Sequence, residues 1–325
     1  MLPEAEFGYE LLVCRYAELA WHPADGPRPV VVSRQLGTKR RRWDTVVIEV
    51  DPGAFMRRRA FGDRALDSDL LHVVRHAPAE WAWYRDALPH PGYPWRHVRN
   101  AVHRAADREL IAKRRRGNRI ELRRKRPYPD WVRRIVAVEN KPDLDASAAD
   151  ALADQLEHDV DAALADEVWL ATETTGDRVE PALLRTMPVE AGVLTTEFAD
   201  GVDADAATVD WLPSDLSPAA RDPEVVTRRL EIAERAYGKG WRSFHDTMRP
   251  DCRAFELRRA GRGLVPYCTA KDRVPTAREC GGSCPSFSPE PPGWRTNGWP
   301  IAGGPGAGVT RLLQRRRERE RTFDA

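Results

Sequence analysis

Three consecutive segments constrain the fold more than any other part of the chain. "WVRRIVAVENKPDL" (131–144) is a β-branched apolar run. "SAADALADQLEHDVDAALAD" (147–166) follows and sets Leu152, Leu156, Val160 and Leu164 on one face of a helix. "EVWLAT" (167–172) then reads as a second buried strand, and "AGVLTTEF" (191–198) as another. Upstream, "RPVVVSRQ" (28–35) and "RWDTVVIEVDPG" (42–53) are two further β-rich runs, the second closed by Pro52 and Gly53. Strands interleaved with a helix predict an α/β layer architecture. Residues 5–21 add an amphipathic helix on Phe7, Leu11, Cys14, Glu18 and Trp21.

The 325 residues suffice for two or three domains of ordinary size. No stretch approaches the roughly 20 apolar residues that span a bilayer. Met1 to Glu10 lacks the basic and apolar regions of a signal peptide, so a cytoplasmic protein with no membrane partner is expected. The formal charge of +2 conceals an internal division. Arg96 to Arg126 carries 13 Lys or Arg against 3 Asp or Glu, a net of +10. Pro142 to Asp210 carries 18 acidic residues against 2 basic, a net of −16. The first region suits an anionic partner, and the second is a solvated acidic surface.

The basic region has a pattern as well as a charge. "PAEWAWYRDAL" and "PWRHVRNAVHRAADREL" are predicted helices. "LIAKRRRGNRIELRRK" is predicted to be a hairpin turning at Gly117 and Asn118. Two helices followed by a basic hairpin is the order of a winged helix, in which the second helix enters the major groove and the hairpin touches the flanking backbone. That assigns Arg96, His97, Arg99 and Arg104 to the helix, and Lys113, Arg114, Arg115, Arg116 and Arg119 to the wing. Arginine forks suit phosphates and guanine edges. The interleaved Val98, Val102, Ile111, Ile120 and Leu122 supply a small core, which a plain charged arm lacks. DNA is the expected partner, and RNA fits the same chemistry. The alternative is a basic surface that neutralises the acidic segment of the same molecule.

Side chains alternate along a strand, so Ala137, Glu139 and Lys141 share a face opposite Val136 and Val138. A carboxylate and an ammonium at the end of a buried strand must pair or bind something. Asp44, near the start of another apolar strand, is a second oxygen ligand if the two strands are neighbours, and such a donor set suits Mg²⁺. A strand-end ion pair is the alternative. Glu49 falls on the opposite face from Asp44 and competes with it.

In this order the residues resemble the PD-(D/E)xK nuclease superfamily, and in particular its RecB-like members. The resemblance spans residues 5–66 and 131 to about 200: a helix with Glu18, "WDTVVIEV" with Asp44, "VAVENK" with Glu139 and Lys141, and "ALADQL" with Gln155. It implies a restriction-endonuclease-like core that hydrolyses DNA phosphodiesters. By resemblance, Asp44 and Glu139 hold Mg²⁺ or Mn²⁺, Lys141 orients or helps deprotonate the attacking water, and Gln155 positions substrate or water. Glu18 is either a further site residue or a helix carboxylate paired to arginine. The whole chain also resembles an uncharacterised protein family of halophilic archaea, which implies no activity.

The expected organisation is therefore a nuclease core in two parts, 1–66 and 131–200, around an inserted winged-helix module at 67–130. A linker and helix (201–249) and a Cys-rich segment with a charged tail (250–325) follow. Cys252, Cys268, Cys280 and Cys284 are candidate ligands for Zn²⁺ or a [4Fe-4S] cluster, since a Pro-rich segment with little apolar content needs another source of stability. Some RecB-type nucleases place one cluster cysteine before the core and three after it. On that resemblance Cys14 is a ligand, although its position on an apolar stripe equally suits a buried thiol. The rival reading of another class is a non-catalytic DNA-binding regulator on a nuclease-like scaffold.

Overall fold

The computed structural model describes residues 3–38, 41–90, 92–173, 184–198, 202–217, 222–241, 254–260, 263–273 and 284–286. The elements in chain order are α1 (Pro3–Ala20), β1 (Val30–Gly37), β2 (Arg42–Val50), α2 (Pro52–Arg58), α3 (Ser68–His76), β3 (Ala82–Trp83) and α4 (Tyr84–Ala87). Then come α5 (Trp95–Asp107), β4 (Ile111–Arg116), β5 (Arg119–Arg124), β6 (Val132–Asn140), α6 (Ala146–Ala162), β7 (Glu167–Glu173) and β8 (Gly192–Thr196). β9 (Ala207–Trp211), α7 (Pro223–Lys239), β10 (Phe255–Ala260) and β11 (Gly263–Cys268) complete them.

The main sheet has six strands in the order β1-β2-β6-β7-β8-β9. Pairing is antiparallel from β1 to β6, parallel across β6, β7 and β8, and antiparallel again at β9. Helices cover both faces. Tyr9, Val13 and Ala17 of α1 pack on Val32, Val47, Val136, Val138 and Trp169. Leu156 of α6 and Ile232, Ala233 and Ala236 of α7 pack on Val46, Ile48, Ile135 and Ala137 from the other side. This is why "RIVAV" and "VWLA" are unbroken apolar runs: a strand covered on both faces has no solvent side to alternate toward. The strand carrying Glu139 is accordingly buried on both faces, with Ala137 as enclosed as Val136 and Val138.

The basic insertion has its own core, built from α3, α5, β4 and β5 around Leu70, Val74, Val98, Val102, Ile111 and Leu122. Its small sheet runs β3-β5-β4. The turn between β4 and β5 falls where expected, with Gly117 at a φ of 59° that costs glycine nothing.

Where the insertion meets the core, α2 and α7 are joined by an ion pair with no exposure at either side chain. Arg58 Nε and Nη2, at the end of α2, each donate to Glu234 of α7 over 2.5 Å. Tyr128 Oη and the Leu66 backbone N–H also donate to Glu234, over 2.6 and 2.8 Å. Four donors satisfy this carboxylate, which is the condition for burying a charge without a large penalty.

Several elements differ from the sequence reading, each for a physical reason. β2 ends at Val50, before Pro52 as expected, and Pro52 also opens α2, because Asp51 caps the Ala54 N–H and proline suits the first helical turn. The segment 78–88 is not one helix: Ala82 and Trp83 pair with β5 as β3, and only Tyr84–Ala87 are helical. The helix preceding them, α3, starts at the Asp67 N-cap. The segment 201–220 is not wholly a linker, since Ala207–Trp211 form the edge strand β9. The last long helix passes through Gly238 to Lys239, and Gly240, with a φ of 66°, ends it. At Gly238 a Cβ would lie 2.9 Å from Ala65, so the glycine permits close packing. No helix among the described residues is long and apolar enough to cross a membrane.

Candidate functional site

The antiparallel β2–β6 ladder pairs Thr45 with Val138, which brings Asp44 level with Glu139 on one face. The two carboxylates sit at the carboxyl end of β6, where its partners change from antiparallel β2 to parallel β7. Crevices beyond the carboxyl ends of parallel strands are where open α/β sheets bind ligands. Lys141 follows immediately, half-buried, and its backbone N–H donates to the Ala171 carbonyl at the end of β7 over 2.8 Å. Asp44 is held in place by the Asn140 backbone N–H, which donates to Oδ2 over 3.1 Å, and by Gln35 Nε2, which donates to Oδ1 over 2.9 Å.

The same structure gathers residues that the sequence reading did not single out. Gln35 interrupts β1 with a φ of 49°, and its amide also donates to Glu10 Oε1 over 3.1 Å. Glu10, on α1, accepts Arg34 Nε and Nη2 as well, over 3.1 and 2.6 Å. On the other side of Glu139, Arg41 Nη2 stands 2.5 Å from Glu139 Oε1 and 2.9 Å from Asp159 Oδ2 of α6. The result is four carboxylates, from Glu10, Asp44, Glu139 and Asp159, joined through Arg34, Gln35 and Arg41.

Burial and the nearby Asp44 charge push the Glu139 carboxyl up to about 8, against the opposing pull of the Arg41 guanidinium. Burial also raises Glu10, where Arg34 opposes and Asp44 adds to the shift. The protonated or cation-bound form of Glu139 is therefore favoured over the bare carboxylate.

Not every expected residue joins this group. Gln155 is exposed on α6, while the buried stripe of that helix runs through Leu152, Leu156 and Asp159. Glu18 lies eight residues along α1 from Glu10, about 12 Å at helical rise. It accepts Arg15 Nη1 over 2.9 Å and Trp241 Nε1 over 3.3 Å. Glu49, on the opposite face of β2, accepts Arg28 Nη1 over 2.7 Å. A signal for two of the missed residues existed: Glu10 and Asp159 are carboxylates on otherwise apolar helical stripes. Gln35 and Arg41 gave none, because only strand pairing brings them close.

Cys14 is fully buried, 3.3 Å from Thr45 Oγ1, and burial pushes its thiol up to about 12, so it is a packed thiol and a poor thiolate ligand. Cys268 and Cys284 are half-buried free thiols, whereas Cys252 and Cys280 lie outside the described residues. Among the described residues no three His, Cys, Asp or Glu side chains are grouped so as to hold a metal ion by themselves. The two-carboxylate set of Asp44 and Glu139 nonetheless fits Mg²⁺ or Mn²⁺, since Mg²⁺ is habitually held by one or two carboxylates with water and substrate phosphate completing the shell.

In the basic insertion, Arg96, His97 and Arg99 are exposed on α5. Arg104 is turned aside, paired with Asp67 at 2.6 Å and Asp69 at 3.0 Å. On the hairpin, Lys113 Nζ donates to His103 Nδ1 over 2.7 Å, and Arg115 Nε donates to the Gly117 carbonyl over 3.0 Å. Arg114 and Arg116 stand 2.7 and 3.8 Å from Glu121, and Arg119 lies 4.7 Å from the centre of the Trp83 ring.

The fold and this group of charges define a mixed α/β protein: a six-stranded sheet with a carboxylate cluster at one end and a basic module set between β2 and β6. The chain belongs to the Family of unknown function (DUF5787), whose description matches residues 31–289. No curated protein and no solved structure matches it.

Proposed function

We propose that this protein is a metal-dependent nuclease of PD-(D/E)xK type that hydrolyses DNA phosphodiesters, with its basic insertion acting as a winged-helix module that binds the substrate. The observation that carries the reading is the alignment of Asp44 with Glu139 at the end of β6, one residue before Asn140 and two before Lys141. Asp44 and Glu139 are the residues to hold Mg²⁺ or Mn²⁺, which supplies polarisation of the scissile phosphate and stabilises developing charge. Lys141 orients the attacking water. Gln35 and the Asn140 amide keep the Asp44 carboxylate aimed, and Glu10 extends the acidic wall.

The module supports the substrate class. Its order α3, β3, α4, α5, β4, β5, with β5 between β3 and β4, suits a winged helix. Its exposed Arg96, His97 and Arg99 suit a phosphate backbone. Phosphate contact by such residues predicts affinity that falls steeply with salt.

A second reading, a non-catalytic DNA-binding protein, is favoured by one observation: Arg41 already compensates Glu139 and Asp159. One experiment separates the two. Labelled single- and double-stranded DNA is incubated with the wild type, Glu139→Ala and Lys141→Ala under Mg²⁺, Mn²⁺ or EDTA. Metal-dependent cleavage that falls by on the order of a hundredfold or more in both variants, with DNA affinity kept, supports the nuclease. Binding without cleavage under either metal leaves the regulator.

A further inference from the structure

The small β3-β5-β4 sheet has two unlike faces. Ala82, Leu122 and Ile111 point inward, and Leu122 and Ile111 pack against Val98, Ala101 and Val102 of α5. The register puts Trp83, Glu121, Arg114, Arg116, Arg119 and Arg123 on the other face, with the half-buried Trp83 also packed against the edge of the insertion's core. Trp81, two residues before Trp83, completes it: the Arg114 and Arg123 guanidinium carbons lie 4.3 and 5.0 Å from the centre of the Trp81 ring. Arg119 takes the same position over Trp83 at 4.7 Å. Four guanidiniums and two indoles therefore share one solvent-facing surface with a single carboxylate, Glu121, which accepts Arg114 Nε over 2.7 Å.

We propose that this outer sheet face is a second nucleic-acid surface, separate from α5, and that it binds an unpaired strand. The inference rests on the nucleic-acid reading of the module. A guanidinium stacked on an indole keeps its in-plane N–H groups free for phosphate and loses little entropy on binding, because the ring already fixes its direction. That accounts for the arginines with any polyanion. The tryptophans discriminate. A duplex keeps its bases stacked inside and offers this face only phosphates, whereas an unpaired strand brings its bases to Trp81 and Trp83. Indole faces set among arginines along a strand match the combination that tracks single strands, in which bases stack and the backbone meets positive charge. With α5 on the far side of the same sheet, the module can hold a duplex and an unpaired strand together.

The test uses the full chain in EDTA, with fluorescence anisotropy on two probes: a dT oligomer of about 15 nucleotides and a duplex of the same length. Trp81→Ala is expected to weaken dT binding by on the order of tenfold while leaving the duplex within about twofold. Trp81→Phe keeps a stacking ring and retains most of the affinity, and dT quenches less of the tryptophan emission in Trp81→Phe than in the wild type. Arg123→Gln is expected to flatten the salt dependence for dT by about one contact. If Trp81→Ala does not fold, Arg123→Gln and the quenching of wild-type emission carry the test, and an unchanged salt slope in Arg123→Gln together with no quenching by dT overturns it. Equal losses for both probes, or a wild type that binds the duplex and not dT, overturn the platform alone. A wild type that binds neither probe removes the nucleic-acid reading of the whole module.

Discussion

The two charged regions of this molecule treat charge in opposite ways. At the end of β6, four carboxylates are drawn into a partly buried cluster and meet two arginines and an amide. On the inserted module, arginines outnumber acids, and they stand over tryptophan rings, pair with exposed or partly exposed acids, or reach into solvent. The first region is costly to form and sensitive to its surroundings, because low dielectric strengthens every attraction and repulsion in it. The second is cheap to form, since exposed guanidiniums remain hydrated, and its worth appears only when an anion arrives. Burial makes a site and exposure makes a surface.

The comparison breaks most visibly where the two regions join. Replacing Glu234 with Ala strands Arg58 as a buried unpaired charge and removes the partner of Tyr128, so chemical denaturation should show a loss of about 3–5 kcal/mol. A loss near zero would mean that the module is held to the core by apolar packing alone.

The next effect is a pH dependence confined to the carboxylate cluster. The Glu139 carboxyl lies near 8 in the folded protein, above its ordinary value of 4.5. A raised acid binds its proton more tightly when folded, so its contribution to stability is present below the unfolded value and is lost as pH rises through about 8. If Glu139 holds Mg²⁺, the ion competes with that proton. Mg²⁺ affinity, read by calorimetry, should therefore rise by nearly tenfold per pH unit up to about 8 and level off above it, and Glu139→Gln should abolish the trend. A flat profile in the wild type would separate Glu139 from metal binding.

Smaller effects sharpen the surface side. Arg96→Ala and Arg99→Ala should each weaken duplex binding and reduce the slope of log affinity against log salt by about 1, as loss of one phosphate contact requires. Slopes identical to the wild type would take α5 off the duplex. Arg104→Ala should do least: its pairs with Asp67 and Asp69 are roughly half-exposed, and such pairs are worth about 0–1 kcal/mol. A DNA-binding loss as large as that of Arg96→Ala would show that Arg104 leaves those aspartates to reach the duplex.

Most of the main sheet was legible because its signals are local. β6, α6 and β7 follow directly from an apolar run, a 3.6-residue stripe and a second run, and α5 with the β4–β5 turn follows from periodicity and a glycine. β9 was hidden in an Asp- and Ala-rich segment, since an edge strand needs only a few residues and gains its identity from β8. Trp81 and Trp83 suggested a helix, yet β-pairing with β5 outweighed local preference. In the candidate site, Asp44, Glu139 and Lys141 were readable from their strands. Glu10 and Asp159 left only the trace of a carboxylate on an apolar helical stripe, and Gln35 and Arg41 left none, because each meets the site from a different part of the chain.

By itself, then, the sequence determined most of the long strands and helices, where charge of each sign is concentrated, and that Glu139 and Lys141 close a buried strand. Only the tertiary structure decided which carboxylates meet, that Arg41 is their counter-ion, and that tryptophans and arginines share one face of the small sheet. Secondary structure follows from near neighbours along the chain, but Coulomb and stacking interactions act over a few ångströms in space. Residues such as Arg41 and Asp159, 118 positions apart, come within that range only once the sheet has closed.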